Sequence, residues 1–149
     1  MNRRSVCRLQ RGVAAIEFAF VFMVLYLFMY GIVTFGAVLY TQQTIARAAE
    51  DGARAVLALS SVVPSAIEGA VHESLASSLV FPTGSSASRP DRLQWLKLAP
   101  VNVTISGSTN VTITVTYPYS ANPLLPALPL ASSWLPATLT GKAVVARPS

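Results

Sequence analysis

Thiol and imidazole groups are nearly absent from this 149-residue chain, which has one cysteine, Cys7, and one histidine, His72. A lone cysteine excludes an intramolecular disulfide and a thiolate metal site, and a lone histidine excludes a multi-histidine metal cluster. Cys7 precedes the long apolar run instead of following one, which does not fit a lipid-carrying cysteine. It is also the only thiol a Cys/His nucleophile pair could use. No P-loop, dinucleotide-binding glycine fingerprint or HExxH zinc motif is present. The expectation is a protein without metal or cofactor that is not an enzyme, because a catalytic reading would rest on His72 alone.

Charge is scarce too, at 11% of residues against 52% hydrophobic, which is out of keeping with a wholly soluble domain. The formal net charge of +5 belongs to the first twelve residues, which hold Arg3, Arg4, Arg8 and Arg11 and no acid. The remainder carries seven basic and six acidic residues, with no clustered basic patch of the kind phosphate binding needs. Nucleic acid is therefore not an expected partner. Between Glu17 and Arg47 there is no charge at all, and between Val13 and Leu59 there is no proline. A run this long and apolar predicts a membrane-spanning helix embedded in a lipid bilayer. A secretory signal is a poorer fit: its apolar core is shorter, about 7–15 residues, and Tyr40-Thr41-Gln42-Gln43 is a poor small-residue cleavage site. The four arginines on one flank, against Arg47 and Arg54 mixed with Glu50 and Asp51 on the other, put the N-terminus in the cytoplasm and the body outside.

What the run does contain is one carboxylate near its start. Arg11-Gly12-Val13-Ala14-Ala15-Ile16-Glu17-Phe18 joins a basic leader, a glycine, four residues and a glutamate, the arrangement of a pilin precursor. An ionisable group inside a membrane helix costs roughly 2.5–3.5 kcal/mol at the bilayer centre on insertion scales, and it marks function by default. A peptidase cutting between Gly12 and Val13 would exploit the missing side chain of Gly12, which lets an extended backbone enter a narrow cleft. The new ammonium on Val13 could then be neutralised by Glu17 of a neighbouring subunit, offsetting the desolvation of both charges. The plainer alternative is a glutamate near the interface, favoured by the helix dipole and snorkelling to water. Phe18, Phe22, Tyr26 and Tyr30 follow at four-residue spacing and form one aromatic row, facing either lipid or neighbouring helices in a fibre.

Beyond the span, the helical pattern continues as a stem. Ile45, Ala49, Gly52, Val56 and Leu59 share one side, and Arg47, Glu50, Asp51 and Arg54 another, with Glu50 and Arg54 spaced for an i,i+4 pair. The small residues Ala48, Ala49, Gly52 and Ala53 predict close packing of the outer domain there. After Pro64, Ser65 and Glu68 have capping-box spacing, and Ile67, Val71, Leu75 and Leu79 predict an amphipathic second helix with His72 as a surface or cap-supporting residue. Pro82 to Pro90 reads as a loop, and Trp95, Leu96 and Leu98 lead towards strands. Val101, Val103 and Ile105, then Val111, Ile113, Val115 and Tyr117, alternate with polar residues as a hairpin, and Thr138 to Ala146 predicts a third strand with Leu139, Gly141, Ala143 and Val145 inward. Pro118 to Pro136 reads as an extended surface loop. The fold class expected is a membrane-anchored α+β protein: a long transmembrane and stem helix, a second amphipathic helix and a small antiparallel β-sheet. Its divisions are residues 1–12 as leader, 13–39 as transmembrane helix, 40–63 as stem and 64–149 as outer domain.

Over residues 11–57 the sequence resembles the TadE-like family, minor pilins or pseudopilins of tight-adherence (Flp-type) pilus systems. The matching residues are Arg11-Gly12 through Glu17-Phe18, Phe35-Gly36, Leu39-Tyr40 and Ala48-Ala49-Glu50-Asp51-Gly52-Ala53-Arg54. Where such proteins often carry an acid before Phe-Gly and a basic residue after it, this chain has Thr34 and Ala37. The resemblance implies a bacterial inner-membrane precursor, a prepilin peptidase acting after Gly12, and a role in pilus assembly. Its partners would be other pilin or pseudopilin subunits and the inner-membrane assembly platform. The rival expectation is an unprocessed single-pass anchor whose outer domain binds other pilus or secretion components.

Overall fold

A helix of 53 residues, α1 (Val6–Ala58), opens the chain. In the computed structural model residues 6–59, 61–78, 88–98, 101–125 and 134–146 are described, with side chains from residue 12 onward. After α1 come α2 (Pro64–Ala76), α3 (Arg89–Leu98), β1 (Asn102–Ser106), β2 (Asn110–Tyr117) and β3 (Leu139–Ala146). This is an α+β fold with a membrane-anchor helix, as the sequence pattern predicts. At 1.5 Å per residue α1 is about 80 Å long. It runs through Gly12 and Val13 without a break, because glycine inside a helix costs only about 1 kcal/mol relative to alanine.

The chain divides into two units, Met1–Gly36 and Ala37–Ser149. The first unit holds the N-terminal part of α1. Its side chains Phe18, Phe20, Phe22, Tyr26 and Phe28 are all exposed. α1 is the one helix among the described residues long and apolar enough to cross a membrane, and its apolar window is almost wholly unburied. A soluble core helix of that composition would be covered; this one needs lipid or neighbouring helices as its solvent.

The second unit is built around the remainder of α1. Val38, Thr41, Ile45, Ala48, Ala49, Gly52, Ala53 and Val56 form a buried stripe at spacings of three and four. Thr41 satisfies its buried hydroxyl by donating to the Ala37 carbonyl at 2.8 Å. α2 buries Ile67, Val71, Leu75 and Ala76, and α3 buries Leu96. The sheet has the order β1-β2-β3, antiparallel throughout, with Val103 opposite Val115, Ile113 opposite Ala143 and Tyr117 opposite Leu139. Val111, Ile113, Val115 and Tyr117 are buried while Thr112, Thr114 and Thr116 point the other way, as period-two alternation requires. Each buried Ile, Leu or Val side chain contributes roughly 1.5–3 kcal/mol over leaving it in water. The β1–β2 turn depends on Gly107, whose φ of +93° and approach to the Asn110 carbonyl leave no place for a side chain.

Three local readings of the sequence are corrected. Residues 89–98 form a helix, where the sequence suggests an approach to a strand. Pro90 lies in its first turn beside Asp91, Lys97 lies in its last turn, and the Arg92 amide donates to the Ser88 carbonyl at 3.1 Å. The capping box does not form. Val63 is the N-cap of α2 with no side-chain hydrogen bond, because Pro64 at the first helical position sets the start two residues before Ser65 could act as a cap. Arg54 approaches Asp51 at 3.8 Å in an i,i+3 pair and not Glu50. Leu79 and the segment from Pro82 to residue 87 lie outside the described residues.

Candidate processing and assembly site

Gly12 and Val13 lie within α1, and a Cβ added at Gly12 would meet nothing within 4 Å. Val13 is exposed, and Glu17 follows one turn later, also exposed. Among the described residues Glu17 has no hydrogen-bond or ion-pair partner. Phe18 stacks on Phe22 with centroids 6.2 Å apart and an interplanar angle of 23°. Tyr26 and Tyr30 approach at 6.3 Å with a tilt of 33°. The aromatic row therefore consists of two ring pairs at four-residue spacing along the helix. An accessible glycine, a carboxylate without a partner among the described residues and two aromatic pairs are brought onto one exposed apolar stretch of helix. That arrangement can present a backbone to a protease and offer a counter-charge to another chain.

The stem residues divide into two groups. Ala49 and Ala53 are buried, and Gly52 comes so close to α2 and β2 that an added Cβ would lie 2.7 Å from Val71 Cγ2 and 3.4 Å from Ile113 Cδ1. Arg54 does not pack there; its side chain is 77% exposed. Gly141 makes an equally close approach from β3 to the Ile45 backbone, and the Gln42 amide donates to the Thr140 carbonyl at 3.0 Å. Glycine amid a strand pattern signals such an approach, and nothing else in the sequence pairs position 141 with the stem.

Along the polar side of the stem runs a groove of about 900 Å³ lined by residues that include Arg47, Asp51, Glu73, Ser74 and Arg89. Its charges are largely satisfied internally: Ser74 donates to Asp51 at 2.6 Å, and Arg89 pairs with Glu73. Such exposed pairs are worth little individually. His72, on α2, is half-buried and not a surface residue, and its Nε2 has no hydrogen-bond partner among the described residues. Burial lowers its pKa; Glu68 opposes that and Lys97 adds to it. At the far end of β2, Tyr117 donates to the Asn122 carbonyl at 2.9 Å, and burial, with Tyr119 nearby, pushes its phenol up to about 12.

No curated protein and no solved structure matches the chain. A family model described as TadE-like protein matches residues 12–54, so the stretch from Gly12 to Arg54 is similar to the family that its motifs imply, and the similarity takes in the glycine, the glutamate and the buried stem alanines.

Proposed function

We propose that this chain is a minor pilin or pseudopilin that takes part in assembling an adhesive Flp-type pilus, and that a prepilin peptidase cuts it between Gly12 and Val13. The observation that carries the reading is Glu17: an exposed carboxylate without a partner among the described residues, on a bare apolar helix, inside the TadE-like stretch. Before cleavage Glu17 lies well inside α1, which already includes Val6. After cleavage it would lie about one turn from a new N-terminus, where the partial positive charge of the helix end favours a carboxylate. An ammonium on Val13 of a neighbouring subunit would add a full charge and fix the axial register of packed helices. Other pilin or pseudopilin subunits and an inner-membrane assembly platform are the partners this mechanism needs, with the outer unit on the periplasmic side.

Mass spectrometry of protein from cells with an active prepilin peptidase should find Val13 at the N-terminus. A chain still beginning at Met1 there would overturn the processing step. Glu17→Ala should insert in the membrane and be cleaved but fail to enter fibres; normal incorporation would remove Glu17 from the mechanism.

One observation favours a second reading, an unprocessed anchor that binds other pilus or secretion components. α1 runs without interruption through Gly12 and Val13, so a protease must unwind a helical turn to reach that bond. The same mass measurement separates the two readings.

A further inference from the structure

We infer that the outer unit touches the bilayer a second time, through Trp134, which shortly precedes β3 and is seated in the lipid headgroup layer. The inference rests on α1 being a membrane span, and it concerns only the end of the outer unit at which the chain enters from that span.

The direction of the strands relative to the stem fixes which end this is. Ile113 of β2 lies beside Gly52, whereas Gly141 of β3, which pairs with Val115, lies against Ile45. Gln42 reaches the Thr140 carbonyl at 3.0 Å. Towards Tyr117 and Leu139 the sheet therefore descends the stem to lower residue numbers. Two further strand residues cover about 7 Å, or between four and five helix residues, which brings Leu139 level with Tyr40 and Thr41. The β2–β3 connection emerges at that level, where the apolar run of α1 ends. Its base is closed by Ser120, whose amide and hydroxyl both donate to the Ala137 carbonyl at 3.2 Å.

Trp134, three residues from that clamp, is 86% exposed, while Leu135 beside it packs on the core. At the same level of α1, Leu39 and Tyr40 are exposed as well, at 55% and 38%. A large indole with an apolar body and one N–H donor suits the membrane–water boundary, where one side is greasy and the other wet. The composition of the connection removes the usual obstacles. From Leu98 to Gly141 the sequence has no charged residue, so no ion loses its hydration on entry. Among the described residues of the connection, Pro118, Pro123 and Pro136 carry no backbone N–H to leave unsatisfied. An acidic or basic protein partner would find no charge there to recognise, whereas a lipid surface requires none.

The chain has two tryptophans, so Trp95→Phe leaves Trp134 as the sole indole reporter. The full-length variant should be reconstituted in vesicles of phosphatidylcholine and phosphatidylglycerol carrying bromines either near the headgroup or at mid-chain. The expected result is loss of most Trp134 emission with the shallow bromines, less with the deep ones, and weak quenching by aqueous iodide. Wild type compared with Trp134→Phe gives the same quantity by subtraction if Trp95→Phe perturbs folding. Unquenched emission with bromolipid and full iodide access would overturn the inference. So would emission that shifts with protein density and ignores bromine, which would mark a second copy as the occupant. Flotation with the vesicles is scored separately: protein that fails to float refutes the membrane span itself, while floating protein with an unquenched Trp134 refutes only the second contact.

Discussion

Gly141 of β3 rests on the backbone of Ile45: a Cβ at position 141 would lie 2.7 Å from the Ile45 carbonyl oxygen and 2.9 Å from the Ala46 nitrogen. Helix backbone cannot step aside as a side-chain tip can, so Gly141→Ala must push strand and stem apart. Overpacking of this kind costs about 1–3 kcal/mol, seen as a lowered Tm of the full chain in detergent. Gly69→Ala, on α2 with open space around the added methyl, should instead gain up to about 1 kcal/mol. A wild-type Tm for Gly141→Ala would contradict the contact.

Gly52 presents a softer obstacle. The methyl of Gly52→Ala would meet Val71 Cγ2 at 2.7 Å, a side-chain tip on α2. Gly52→Ala should destabilise the second unit, and adding Val71→Ala should recover part of that loss. A coupling of about 0.5–3 kcal/mol is the range for residues in contact. Strict additivity in denaturant unfolding would show that the two positions do not touch.

The pH dependence turns on His72. Burial is the main cause that holds its folded pKa below the ordinary 6.5, with Glu68 raising it and Lys97 lowering it. The unfolded chain therefore takes up this proton at higher pH than the folded chain does. Stability tied to the neutral ring is complete above pH 6.5 and is lost as pH falls towards the lower folded value. Tm of the wild type should fall between about pH 7 and pH 5, above the range where carboxylates titrate, and His72→Gln should flatten that slope. An equally steep slope in the variant would assign the effect to another group.

Tyr117→Phe removes the donor to Asn122 while keeping the buried ring. With its pKa at about 12, the phenol holds its proton and donates throughout the neutral range. A loss of about 0.5–1.5 kcal/mol is the ordinary net worth of such a bond. Faster amide exchange at Ser120 and Asn122, the turn it holds, should accompany the loss. Unchanged exchange would mean that the Pro118–Tyr119 turn stands without it.

The parts of the fold legible in the sequence are those governed by a single periodicity. The alternation of Val111, Ile113 and Val115 with threonines specifies β2, and Leu139, Gly141, Ala143 and Val145 mark the inward side of β3. Glu17 stands out in the sequence because no other charge follows until Arg47, and Gly12 because it directly follows the arginine-rich start. α3 is hidden because its ten residues bury only Leu96, and Pro90, in its first turn, reads equally well as the end of a loop. The burial of Tyr119 escapes notice for a different reason: it belongs to a proline-rich connection with no period to reveal an inward side. The switch of Arg54 from Glu50 to Asp51 is a choice between two neighbouring acids on one exposed face, separated by tenths of a kcal/mol.

Val38, Thr41 and Ile45 supply the second unit with interior surface from the helix that also forms the apolar span. Anchor and fold therefore share a border that no scissors can follow. A truncated chain cut after Leu39 for secretion in soluble form would lose Val38, and one beginning at Pro64 would strip Ile113, Val115 and Gly141 of their cover. Excision at the membrane boundary thus trades a lipid-bound protein for a sticky one, and a tractable fragment has to retain the helix from Ala37 onward.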